Sequence, residues 1–408
     1  MKKFISLLLL AALLVTLLAG CGDTGSDSSG SADSENVDSE NVNSGNDDSE
    51  NTGSGSKDVA AFENDETQFN KDELPQYKIA FGYGDWDTAL GMQFQAAFEY
   101  LCEAYNVEPM LFAPGSGEEG VAAVESLLAG GDIDGIITVT WGTAQQAVAD
   151  KYGVPVVAAC QIPSDAEIDA VAAYDTYLGG IEDDEFFAGY SAMEALYNAG
   201  CRNVTISGLT AGYSKGHDQR AAGAKQFASE HSDLNILTES YTTGTWHEDI
   251  PTFAAAFPEV DGMWFTALND GVYAALANEG LDDGSVKVAG PDVANGTASA
   301  FANGIQVFTC GGQYATPMIA FAVLYNYLSD GTRIISDPKV SIARNYLVVY
   351  SKDELDQYDA VVADETPVYN ADEIAELIHY FNADVTYDDL VNSGKTYSLE
   401  DIAARRAG

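Results

Sequence analysis

The sequence predicts an α/β protein of two successive doubly wound parallel-sheet units, similar in size, with a short helical C-terminal extension. Three observations carry this prediction. The 408 residues are 46% apolar, which supplies two or three real cores. Short runs that are apolar along their whole length alternate with stripes at helical spacing, the pattern of parallel strands buried on both faces. That alternation begins near residue 77 and restarts near residue 187.

The chain opens on Met1-Lys2-Lys3, a basic start, and an apolar run from Phe4 to Leu18 follows. About fifteen apolar residues are too few to span a hydrocarbon core of about 30 Å, so residues 1–20 read as a secretory signal peptide. From Gly22 to about Lys57 the chain is almost wholly Gly, Ser, Asn, Asp, Glu and Thr, with the imperfect repeat SENVDSENVNS. Such a stretch cannot offset the entropy of ordering, and its charges repel one another. Residues 21–76 are therefore expected to form a disordered acidic tether.

In the body, Tyr77–Phe81 reads as a strand, and Leu90, Phe94, Ala97, Phe98 and Leu101 form a helical stripe. Pro109–Phe112 is a second strand, followed by a helix through Val121, Val124, Leu127 and Leu128. Gly135–Val139 and Val154–Ala158 are two more strands, with a helix over Ala144–Tyr152 between them. The second unit starts with a helix through Phe187, Tyr190, Met193 and Leu196 that stops at Gly200. Strands Asn203–Ser207 and Asn235–Leu237 flank a helix over Gln219–Ser229. Gly262–Phe265 and Val286–Ala289 continue the series, and a long helix carries Met318, Phe321, Leu324, Tyr325 and Leu328. Residues 351–408 hold three short acidic helices, over Glu373–Phe381, Asp388–Asn392 and Leu399–Arg405. A collar on one lobe and a contact with a partner both remain open for this extension.

Composition narrows the function. With 64 acidic and 18 basic side chains the formal charge is −46, which excludes a nucleic-acid partner, since polyanion binding needs clustered cations. Cys21, Cys102, Cys160, Cys201 and Cys310 form no CxxC, and the four histidines His217, His231, His247 and His379 show no paired-ligand spacing. No metal and no cofactor is expected. GSGEEG at Gly115–Gly120 has the GxGxxG spacing, but Glu118 and Glu119 oppose a pyrophosphate, and Ser116 with Glu119 suits a capping box. Nothing near Cys160 in sequence supplies a catalytic base, and no GxSxG elbow or P-loop is present, so the chain is not expected to be an enzyme.

Two resemblances follow from local motifs. Leu18-Ala19-Gly20-Cys21 after an apolar run resembles the lipobox of bacterial lipoproteins, which implies cleavage before Cys21 and a lipid on its thiol. Residues 77–350 resemble the type I periplasmic binding proteins, the ribose- and galactose-binding group of solute receptors for ABC transporters. The resemblance rests on YKIAFGYGDWDTALGMQFQAAFEY, GIDGIIT, YGVPVVAAC, DDEFFAGYSAMEAL, CRNVTISG, GHDQRAAGAKQF, NDGVYAAL, VKVAGPD and CGGQYATPM, in that order. It implies two lobes joined by a three-segment hinge, with crossings near Glu182–Glu185, Cys310–Gln313 and Ile334–Val340. The lobes are then 77–183 plus 313–338, and 184–312 plus 339–350.

The resemblance also implies a cleft site. Asp85, Trp86 and Asp87 fall at its mouth, where sugar binders stack an aromatic ring on the ligand; Trp86 equally suits a core ring. Arg220 matches an arginine that reaches ring hydroxyls, or forms an ion pair on its helix. Trp246 matches the stacking aromatic of the second lobe, and Asn269, Asp292 and Gln313 match polar positions at strand ends. Trp141 falls just past a strand end as a further wall. Cys160 and Gln161 replace the Asp-Arg pair that many sugar binders carry after VPVVA, which leaves a less polar wall. The implied function is a monomeric, lipid-anchored extracytoplasmic receptor that delivers a small sugar-like ring compound to an ABC permease. A nucleoside receptor, a sensor for a membrane kinase and an exported enzyme are the alternatives.

Overall fold

A computed structural model describes residues 62, 67–115, 117–364 and 367–407, all within one compact unit spanning 54–408. The expectations for the leader, for Cys21, for most of the tether and for Ser116 lie outside the described residues. The ordered body starts earlier than residue 77. Phe69 packs its ring 5.0 Å from Tyr105 and 4.7 Å from Phe381, and Leu74 is buried, so the last stretch of the expected tether belongs to the core.

The first lobe is a six-stranded parallel sheet. Its strands are β1 (Tyr77–Gly82), β2 (Val107–Phe112), β3 (Gly135–Thr138), β4 (Val156–Cys160), β5 (Tyr177–Asp183) and β11 (Ile342–Arg344), in the order β11-β5-β4-β3-β1-β2. Helices α1 (Ala89–Ala104), α2 (Gly117–Leu128), α3 (Thr143–Tyr152), α4 (Ile168–Val171) and α10 (Ala315–Asp330) accompany it. Thr88 starts α1 by accepting from the amide of Gly91 at 3.1 Å, and Gly331, at φ +81, ends α10. From Ala315 to Asn326 every residue of α10 is buried, which is why its apolar pattern runs nearly all round the helix.

The second lobe repeats the plan. Strands β6 (Asn203–Leu209), β7 (Asn235–Thr242), β8 (Gly262–Phe265), β9 (Lys287–Ala289), β10 (Gln306–Gly311) and β12 (Leu347–Val349) run in the order β12-β10-β9-β8-β6-β7, with β12 antiparallel. Its helices are α5 (Glu185–Asn198), α6 (Lys215–Glu230), α7 (Asp249–Ala256), α8 (Asp270–Asn278) and α9 (Thr297–Ala302). Helices α5 and α6 cross so closely that a Cβ on Gly189 would overlap the carbonyl of Arg220, and one on Gly223 that of Phe186.

The chain passes between the sheets three times. The first passage lies at Asp183–Glu185 and the second between Gly311 and Ala315. The third falls at Asn345–Tyr346, later than the 334–340 expected, because Ile342–Arg344 still pairs with Ile181–Asp183 of the first sheet. Helices α11 (Lys352–Val362), α12 (Ala371–Ala375), α13 (Tyr387–Thr396) and α14 (Leu399–Ala407) form the extension, and the helix expected over 373–381 stops at Ala375. The extension is far from a loose tail: Ile374, Ile378, Leu390 and Ile402 are fully buried in the same core as Phe81 and Phe321. None of the described helices is long and apolar enough to cross a membrane.

Candidate functional site

The parallel strands of each sheet share one direction, so their carboxyl ends line a common edge, the place where open α/β sheets hold ligands. From the first lobe, the loop after β1 brings Tyr83 and Trp86. Trp86 stands edge-on to Phe81 at 5.4 Å and to Tyr83 at 5.5 Å, half-buried against the core. Asp85 and Asp87 are exposed beside it. Cys160 ends β4 in the left-handed region, at φ +62, with its Sγ 3.8 Å from the carbonyl oxygen of Gln313. Burial, with Asp183 nearby, pushes its thiol well above the ordinary value, so it stays protonated and is no nucleophile at neutral pH.

The hinge supplies Gln313, whose Nε2 donates to Asp292 Oδ1 at 2.9 Å. Asp292 lies past β9 at φ +73, and desolvation raises its carboxyl pKa against the pull of Arg220 and Gln313. Burial raises the Tyr83 phenol as well, against a hydrogen bond with Thr88, and Asp85, Cys160 and Asp292 add to the rise.

Of the two tasks expected of Arg220, on α6, the ion pair is present, buried rather than on the helix surface. Its Nε and Nη2 donate to Glu185, Nη1 donates to the Thr266 carbonyl at 2.9 Å, and Nη2 also donates to Tyr346 Oη at 3.0 Å. Desolvation opposes its charge, but Glu185, Tyr346 and Asp292 outweigh that and hold it protonated. Four of its five N–H donors are thus spent on the protein, and Nη1 remains 4.0 Å from Asp292. Arg220 is chiefly the keystone of a buried network, and a ligand would meet only its edge.

Trp246 sits in a 3-10 turn after β7, its ring 6.3 Å from that of His217. His217 Nδ1 bonds Thr266 Oγ1 at 2.8 Å, and burial, aided by Arg220, lowers its pKa to about 3, so the imidazole is neutral. The indole N–H groups of Trp86 and Trp246, and Nδ1 of His247, are buried without a protein partner. Asn269 caps α8 through its Oδ1, 3.1 Å from the amide of Val272, which leaves its Nδ2 for other work. Across the cleft, Lys215 of the second lobe reaches Asp165 at 3.2 Å and Glu182 at 3.9 Å, both in the first lobe.

One expected residue stands apart. Trp141 is only 5% exposed, packs with Val124, Ala149 and Val156 in a core, and donates its indole N–H to Gln146 at 2.8 Å. Burial between α2 and α3 made it core, and the wall expected of it is absent. Gln161 is exposed past the end of β4. Sequence reasoning missed Tyr83, Glu185, Tyr346 and Thr266. Tyr83 carried a signal, an aromatic three residues before Trp86; Tyr346 carried none. Among the described residues the four cysteines are free, and no group of three or more His, Cys, Asp and Glu could hold a metal.

No family model and no curated protein matches the sequence. Solved structures do. The chain is similar to a galactofuranose binding protein at 16% identity and TM-score 0.59, over 70% of this chain and 99% of that one. It is similar to an ABC transporter periplasmic solute binding protein from Actinobacillus succinogenes with bound D-allose, at 19% identity and TM-score 0.59, over 69% and 99%. A third is an ABC transporter solute binding protein from Bacillus halodurans with bound myo-inositol, at 19% identity and TM-score 0.57, over 71% and 99%. At these identities the likeness establishes the two-lobe fold.

Proposed function

We propose that the chain is an extracytoplasmic solute-binding protein, tethered by a lipid on Cys21, that encloses a small uncharged ring compound and passes it unaltered to an ABC permease. The observation that carries this reading is the pair of half-buried indoles, Trp86 and Trp246, one from each lobe and each with an unpaired N–H. Their faces suit the apolar side of a ring, and Asp292, Gln313 and Asn269 suit its hydroxyls. Galactofuranose, D-allose and myo-inositol, named with the similar structures, are all neutral polyhydroxylated rings. A nucleoside is the second reading, favoured by an aromatic pair in each lobe, Tyr83 with Trp86 and His217 with Trp246, and by an uncharged Cys160.

A thermal-shift screen against sugars, cyclic polyols and nucleosides tests both. A true ligand at a hundredfold excess over Kd stabilises by about 2.7 kcal/mol. Trp246→Ala weakens its binding in calorimetry. A screen with no stabiliser, or an unchanged affinity in Trp246→Ala and Trp86→Ala alike, overturns the proposal. Mass spectrometry of the mature N-terminus, expected to find a diacylglyceryl group on Cys21, tests the anchor.

A further inference from the structure

The three passages between the lobes are where any opening motion must occur, since hinge closure is absorbed by a few backbone torsions at element ends. Two of the three are held by the C-terminal extension. At the second passage, a Cβ on Gly311 would collide with Tyr358 Oη of α11. Gly312, at φ +84, offers its carbonyl to Tyr397 Oη at 3.1 Å and to Arg344 Nη2 at 2.8 Å. At the third passage, the Asn345 amide donates to Gly394 O at 3.0 Å and its side chain to Lys395 O at 2.6 Å. Arg344, immediately before it, lies with its guanidinium 3.9 Å from the centre of the Tyr397 ring and 3.2 Å from Asp183, at the first passage.

The same segment is fastened at both ends. On the first lobe Tyr105 Oη donates to Ala371 O at 2.6 Å, the Ala371 amide donates to Tyr100 Oη at 2.9 Å, and Asn326 Nδ2 donates to Leu377 O at 2.9 Å. On the second lobe α11 packs against α9 and β12. A segment bonded to the first lobe and to two of the crossings, and packed on the second lobe, cannot stay in place while the crossings rotate.

We infer that residues 351–407 form a splint over the hinge, which restricts how far the two lobes separate. The hydroxyls of Tyr358 and Tyr397 and the close seat of Gly394 on β11 set its grip. The inference takes from the proposed function only that the lobes form a clamp, and its test contains no ligand, so it stands or falls apart from the ligand screen.

The test is an electron–electron distance measurement on the full chain, spin-labelled at Ala122→Cys on α2 and Ala255→Cys on α7, both exposed. The parent pair should give one narrow distribution. Tyr358→Phe/Tyr397→Phe keeps both rings and should add a population longer by more than about 2 Å. Gly394→Ala, whose Cβ would lie 3.0 Å from Ala343 O and 3.2 Å from Arg344 Cγ, lifts α13 and should do the same. A melting curve on each variant identifies those that fold. Folded variants of either kind that superpose on the parent overturn the splint, as does a parent distribution already as broad as theirs.

Discussion

Consider the loss of the Arg220 guanidinium. Arg220 and Glu185 are each 6% exposed, and Tyr346 and Thr266 are buried with them. In Arg220→Met, Glu185 becomes a buried carboxylate with only Tyr346 Oη at 2.9 Å to answer it, and the Thr266 carbonyl and Tyr346 lose a donor. Removing one partner of a buried ion pair costs about 3–5 kcal/mol. Glu185→Leu leaves the cation with Asp292 at 4.0 Å and should cost a similar amount. The double variant abolishes both charges together; its residual cost is the unpaired Tyr346 hydroxyl and Thr266 carbonyl, about 1–3 kcal/mol each at most. Urea unfolding without ligand is the assay. The double variant should be more stable than the sum of the singles predicts by at least about 2 kcal/mol. If Arg220→Met alone costs under about 1 kcal/mol, Arg220 is a free ligand contact, and the keystone argument is wrong.

Two further outcomes are expected. Gly189→Ala or Gly223→Ala pushes α5 off α6 and should lower stability by about 1–3 kcal/mol or more, whereas Gly84→Ala, with open space around its Cβ position, should stay within about 0.5 kcal/mol; thermal melts compare them. His217 has a folded pKa of about 3 against 6.5 unfolded, so its contribution is complete above pH 6.5 and is lost as pH falls, by up to about 1.4 kcal/mol per unit. Asp183, raised to about 6 by burial, runs the other way below pH 6, and comparison of the parent with His217→Gln cancels it. Unfolding midpoints at pH 7, 5.5 and 4.5 should therefore converge between parent and variant; parallel profiles refute the buried neutral imidazole.

Much of the fold was legible because buried parallel strands carry their own apolar signature. Ile136-Ile137 and Val156-Val157 show it, and both lie fully inside. Strand β5 escaped because Gly179-Gly180 break that signature. Those glycines are there for packing: a Cβ on Gly180 would lie 2.5 Å from Ile162, and one on Gly179 2.9 Å from Ile335. Helix α11 escaped because KDELDQYDAVV shows few apolar residues, only the stripe Leu355, Tyr358 and Val361 being buried. In the site, positions at strand ends were readable, since topology fixes them. Partners were not. Arg220 meets Glu185 through the α5–α6 crossing and Tyr346 only after the chain's third passage, and no local spacing encodes either meeting. Trp141 and Trp246 both follow strand ends, but one turns into its own lobe and the other toward His217.

The order in which the chain threads its lobes also governs when it can fold. The first sheet must wait for Met318, Phe321 and Tyr325, made after nearly all of the second lobe, and for Ile342 later still. Ile374, Leu390 and Ile402 fill that same interior from the last few dozen residues. Until synthesis ends, the amino-terminal half lacks the side chains that would seal it. The first sheet therefore cannot close early, and its completion is tied to the last helices of the chain.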